Sequence, residues 1–159
     1  MHLHINSRSS TAVIGQSIVE VIVVVGLVTL VLVGLITAIT FSLSNAQFAK
    51  NKTLASKYGQ ESIEWFRSQR DTLGWTLFYT NATDAGRNYC LQTLSWTSSA
   101  CTSGSEIAGT IFTRTAVLDG NGVSPGNNQD RVSIMVTVSW PQGSRTSQIT
   151  LDTYLTKWQ

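Results

Sequence analysis

The stretch GQSIVEVIVVVGLVTLVLVGLITAITFSL, Gly15 to Leu43, carries one ionisable residue, Glu20. From Ile18 onward everything else in it is Val, Leu, Ile, Ala, Gly, Thr, Ser or Phe41. Coiled as a helix at about 1.5 Å per residue, Ile18 to Leu43 reaches roughly 39 Å, more than the ~30 Å hydrocarbon core of a bilayer. The run predicts a single membrane crossing. Arg8 precedes it and Lys50, Lys52 and Lys57 follow, so the basic flanks do not decide its orientation. A secretory signal peptide fits poorly, because the apolar run is too long for an h-region and no A-x-A-like site follows it. A plain uncleaved anchor leaves Glu20 unexplained. A carboxylate in a membrane helix costs on the order of 2 to 3 kcal/mol on insertion scales, less near the interface, and so marks a functional position.

The rest of the composition bounds the alternatives. A chain of 159 residues holds one modest domain beside the membrane segment. Its net charge of +2 comes from eleven basic and nine acidic residues spread without long blocks, and nothing resembles a nucleic-acid-binding tail. Both histidines, His2 and His4, precede Gly15, so the chain from Gln16 onward has no imidazole, the commonest general base and metal ligand. No nucleophile–base constellation stands out either. The expectation is a non-enzymatic protein with no cofactor and no metal. The rival of another class is an enzyme or binding domain on an uncleaved single-pass anchor.

Gly15-Gln16-Ser17-Ile18-Val19-Glu20, with the apolar helix beginning inside it, resembles the type IV prepilin cleavage motif. In that family a Gly closes a short polar leader and a Glu sits fifth in the mature chain. The resemblance implies that a membrane-embedded prepilin peptidase cuts between Gly15 and Gln16 and methylates the new amine of Gln16, and that Glu20 is the assembly carboxylate. Gln16 departs from the Phe or Met usual there, which bears more on methylation than on cleavage. A cleaved amine held at membrane depth also needs a counter-charge, and Glu20 of a neighbouring subunit supplies one in a staggered bundle. The bland alternative is a Glu20 that snorkels to the headgroups.

Past Leu43 the pattern turns amphipathic: Phe48, Leu54, Ala55, Tyr58, Ile63 and Phe66 recur at helical steps among Lys50, Lys57, Glu61, Glu64 and Arg67. This predicts one helix from about Ser17 to Asp71, with Gly59 a weak point rather than a break. Leu54 to Asp71 is similar to the corresponding helix of minor pilins and pseudopilins, and its charges are read as a solvated face. Many major pilins carry a proline within the apolar helix; Ile18 to Leu43 has none. That favours a minor component.

Downstream, Val132, Ile134, Val136, Val138 and Trp140 alternate strictly, as do Ile149, Leu151, Thr153 and Leu155, with Pro141-Gln142-Gly143-Ser144 as the turn between them. Ile107 to Leu118 is expected as a third strand, giving an antiparallel meander whose inward face lies on the helix from Phe48 to Phe66. Trp75 to Tyr79 is a short apolar stretch, and Thr80 to Ser105 reads as polar and irregular. Cys90 and Cys101 are expected to close about a dozen residues with a disulfide worth roughly 3 kcal/mol in the loop-entropy view, two free buried thiols being the alternative. The strand endings near Trp140 and Trp158 resemble the C-terminal sheet of minor pilins.

The fold expected is α+β and type IV pilin-like, a long N-terminal helix packed on a small antiparallel sheet. Its parts are a leader over 1–15, a membrane and filament-core helix over 16–43, an amphipathic continuation over 44–71, and an extracytoplasmic β-rich domain over 72–159. The resemblance implies a minor pilin held in the cytoplasmic membrane with its C-terminal domain outside, and then a pilus at the cell surface. The alternative within the family is a pseudopilin of a type II secretion or DNA-uptake system. Implied partners are the prepilin peptidase, other pilin or pseudopilin subunits, an inner-membrane assembly platform, and membrane lipid before assembly. Asp119, Asn121 and Asp130 lack the EF-hand pattern of calcium ligands and read as a hairpin loop. The sequons at Asn51 and Asn81 are expected to be unmodified. Trp65, Trp75, Trp96, Trp140 and Trp158 read as packing residues rather than base-stacking platforms, since no basic groove accompanies them.

Overall fold

The computed structural model describes residues 14–82, 86–120 and 130–157. The elements in chain order are helix α1 (Ile14–Leu73), helix α2 (Trp75–Tyr79), and strands β1 (Arg87–Cys90), β2 (Thr113–Asp119), β3 (Arg131–Gln142) and β4 (Arg145–Thr156). The chain divides into two compact units, Met1–Asn45 and Ala46–Gln159.

In the first unit every described side chain from Ile18 onward is exposed, although most are Val, Leu or Ile. This is the one helix long and apolar enough to cross a membrane among the described residues. A helix apolar all round cannot rest stably in water, whereas in lipid its backbone is satisfied internally. Its threonines obey the same constraint. The hydroxyls of Thr29, Thr37 and Thr40 donate to the carbonyls of Gly26, Val33 and Ile36 at 2.9 Å each, so none needs water.

In the second unit the helix buries one stripe, Ala55, Gly59, Ser62, Ile63 and Phe66. Steps of four, three and one keep these residues on one face. Ser62 bonds back to the Tyr58 carbonyl at 3.0 Å, which lets a polar residue sit there fully buried. Gly59 permits a close approach: a Cβ at that position would stand 2.6 Å from Cδ1 of Leu151 on β4 and displace that methyl. The helix ends at Gly74, whose φ of 75° and ψ of 160° form an extended conformation open to glycine and closed to other residues, and whose N–H donates to the Arg70 carbonyl at 3.1 Å. Both ends lie two to three residues outside the expected Ser17 and Asp71. Such termini shift easily because the last turns add few contacts.

The sheet is antiparallel throughout, in the order β1-β2-β3-β4. Alternation works as expected in β3: Val132, Ile134, Val136, Val138 and Trp140 are buried, while Ser133, Met135, Thr137 and Ser139 face away. Those inward residues form one core with Ala55, Ile63 and Phe66 of α1, Phe78 of α2, Ala116 and Leu118 of β2, and Leu155 of β4. Phe48 meets Trp140 with ring centroids 6.2 Å apart, so the expected helix-on-sheet layer is present.

Three local expectations need correction. The sheet has four strands, not three, because Arg87–Cys90 pairs with Leu118 through Thr115. Residues 107–112 are a tight turn rather than the start of β2: the Ile107 N–H donates to the Phe112 carbonyl at 2.8 Å, and Thr110 is bonded inside the turn. The β3–β4 turn is only Gly143-Ser144, since Pro141 and Gln142 pair with Thr146 and Arg145. Pro141 is tolerated inside a strand because β2 pairs no further than Ser139, which leaves that end of β3 an edge. Gly143 supplies the φ of 60° that a two-residue hairpin needs.

Candidate membrane and assembly site

Gly15 and Gln16 fall in the first turn of α1, and Glu20 stands one turn beyond Gln16 on the same side of the helix. Glu20 is exposed, and its helical neighbours Val23 and Val24 are exposed and apolar. None of the ion pairs among the described residues involves it; these join Glu64 to Arg67, Asp71 to Arg70, and Glu61 to Arg114. A carboxylate on an otherwise apolar surface has two stable states, solvated at a headgroup boundary or paired with a cation brought by another molecule. That is the chemistry available at this end of the chain. Residues 1–13 of the expected leader lie outside the described residues.

The other expected pair is formed. Cys90 at the end of β1 and Cys101 are disulfide-bonded, with Cα atoms 5.0 Å apart. The loop they close is anchored by Trp96, whose ring packs on Trp65 at 5.1 Å, Tyr89 at 5.4 Å, Phe66 at 5.6 Å and Phe78 at 5.9 Å between centroids. Its indole N–H donates to Oε1 of Gln69 at 2.9 Å. The tryptophans among the described residues therefore pack as expected, with Trp65, Trp75, Trp96 and Trp140 all in or against the core; Trp158 lies outside them. Asn121 and Thr83, members of the weighed calcium set and second sequon, also lie outside the described residues.

One charged residue escaped the sequence reading. Arg114 occupies an inward position of β2 and is 2% exposed. Its Nε donates to the Leu91 carbonyl at 3.1 Å, and Nη1 to the Tyr58 carbonyl at 3.1 Å and to Oε2 of Glu61 at 2.9 Å. One guanidinium thus ties the helix, the sheet and the segment entering the disulfide loop. Burial pulls its pKa below the ordinary arginine value, opposed by the Glu61 carboxylate. The signal was an Arg in phase with Phe112, Ala116 and Leu118. Glu61 belongs to this clamp rather than to a purely solvated face, whereas Glu64 and Arg67 pair on the exposed side. Tyr89 is held similarly: burial pushes its phenol above the ordinary value, against a lowering by Arg87, and the hydroxyl donates to the Asn81 carbonyl at 2.7 Å.

Among the described residues no group of three or more His, Cys, Asp or Glu side chains is placed to hold a metal. No family model, no curated protein and no solved structure matches this chain.

Proposed function

We propose that the chain is a prepilin, inserted in the cytoplasmic membrane, cleaved between Gly15 and Gln16, and assembled through its N-terminal helix as a minor subunit of a type IV pilus or related filament. The observation that carries this reading is Glu20: a lone carboxylate, five residues past Gly15, at the mouth of an apolar segment exposed on every side. Such a segment needs lipid before assembly and other apolar helices after it. Glu20 gives the second environment a specific requirement, a cation, and the cleaved amine of a neighbouring Gln16 meets it. The α+β domain, an amphipathic helix stripe on an antiparallel sheet, supports a pilin-like layout. The proline-free apolar helix favours a minor pilin or pseudopilin over a main shaft subunit.

The reading is tested by replacing Glu20 with alanine. The Glu20→Ala protein is expected to be cleaved normally yet to drop out of the sheared filament fraction, read by immunoblot against the total cell pool. Incorporation at the unaltered level would remove the assembly role from Glu20.

A further inference from the structure

At one end of the sheet's solvent face lies a groove of about 420 Å³ that the filament reading does not use. Its floor is Thr113 of β2, Ser139 and Pro141 of β3, and Thr146 of β4, four outward positions brought together by the registers Thr113↔Ser139 and Pro141↔Thr146. Its wall is the turn after Ser105, which contributes Glu106 and Ile111. That wall is pre-formed: Glu106 bridges to Thr113, and the Thr110 hydroxyl both donates to the Ile107 carbonyl at 2.8 Å and accepts from the Phe112 N–H at 3.2 Å.

The polar groups differ in how they are used. Among the described residues, the hydroxyls of Thr113, Ser139 and Thr146 and the carboxylate of Glu106 have no intramolecular partner. One row further along the same face the hydroxyls are engaged within the sheet, Thr115 donating to the Thr137 carbonyl at 3.4 Å and Thr137 sharing a bond with Thr150 at 3.3 Å. Residues bearing three neutral hydroxyls and one acceptor-only carboxylate therefore line a single groove, together with Ile111 and Pro141. Its volume falls within the ~300–1,000 Å³ usual for small-molecule sites. No Lys or Arg lines it, so an anion would meet Glu106 uncompensated.

The geometry points to a neutral saccharide as the ligand. A pyranose both donates and accepts around its rim, which the three hydroxyls can match. Two adjacent sugar hydroxyls can donate to the two oxygens of Glu106, and the ring's C–H face can lie on Pro141 and Ile111. The site would let an assembled or membrane-bound chain hold a glycan surface, and it stands whether or not the chain is a prepilin.

The test is saturation-transfer NMR on the full chain in phosphocholine micelles, which carry no sugar headgroup to compete. The probes are lactose, cellobiose and diacetylchitobiose, with sialyllactose as an anionic comparison. Transfer to at least one neutral disaccharide is expected, with a Kd on the order of 1 mM, weakened about tenfold in Glu106→Ala and reduced in Thr146→Val. Both substitutions lie at exposed positions outside the core, so a loss traces to the groove. Absence of transfer to all three neutral probes at about ten times that concentration would overturn the proposal. So would equal binding in both variants, or sialyllactose binding as tightly as lactose.

Discussion

Arg114→Ala is expected to lower the stability of the second unit by about 3 kcal/mol, a fall in thermal midpoint on the order of 10 °C. Removing the guanidinium strips donors from the Leu91 and Tyr58 carbonyls and leaves Glu61 without its partner. The Leu91 and Tyr58 carbonyls left without this donor cost about 1–3 kcal/mol each, whereas Glu61, whose side chain is 53% exposed, is resolvated at little cost. Two companion variants separate the causes. Arg114→Met keeps most of the volume and should cost less than Arg114→Ala, while Glu61→Gln leaves the buried guanidinium without a counter-charge and should cost about 3 kcal/mol. Thermal unfolding followed by circular dichroism reads all three. An Arg114→Ala midpoint unchanged from the parent would mean that the clamp contributes nothing to the fold.

Trp96→Ala is expected to cost a similar amount, about 3 kcal/mol, and to release the disulfide loop from the helix. Four aromatic rings lose their common neighbour, and Gln69 loses its donor. Large-to-small changes at buried aromatic positions run to about 3–5 kcal/mol, and the partly exposed edge of Trp96 places it at the low end. Trp96→Phe keeps a ring in the cluster and gives up the hydrogen bond, so it should cost about 1 kcal/mol more than the packing change alone. Near-ultraviolet circular dichroism gives a second reading, since the substitution removes four ring–ring contacts, those of Trp96 with Trp65, Phe66, Phe78 and Tyr89. A Trp96→Ala spectrum identical in shape to the parent's would contradict the loop's docking role.

What the sequence revealed follows from how each element keeps its side chains. β3 was legible because its inner face is uniformly apolar and its outer face is Ser or Thr at every position but Met135, so the period of two stands out from Val132 to Trp140. The amphipathic half of α1 was legible for the same reason at a period near 3.6. β1 was not, since Arg87-Asn88-Tyr89-Cys90 is four residues long, sits at the sheet edge and buries only Tyr89 and Cys90. α2 is too short at five residues to show any helical period. β2 misled in two ways: Ile107 and Ile111 extend its apolar pattern into a turn, and Arg114 places a charge where the alternation calls for a hydrophobe. Arg114 is stable there only because its partners come from Leu91, Tyr58 and Glu61, positions far away along the chain. No local pattern contains that information. The groove was hidden likewise, since Glu106, Thr113, Ser139 and Thr146 become neighbours only through the strand registers. At the membrane end the reverse holds. Glu20 is conspicuous in the sequence because nothing around it is polar, and the structure leaves it equally alone among the described residues.

The central claim is that the chain is cut between Gly15 and Gln16. Its most direct test is the intact mass of the protein purified from cells that co-express a prepilin peptidase, with a known prepilin as the cutting control. The predicted product begins at Gln16, and Gly15→Ala stays at full length beside it. A chain that keeps residues 1–15 while the control is cut, with Gly15→Ala indistinguishable from the parent, would contradict the account.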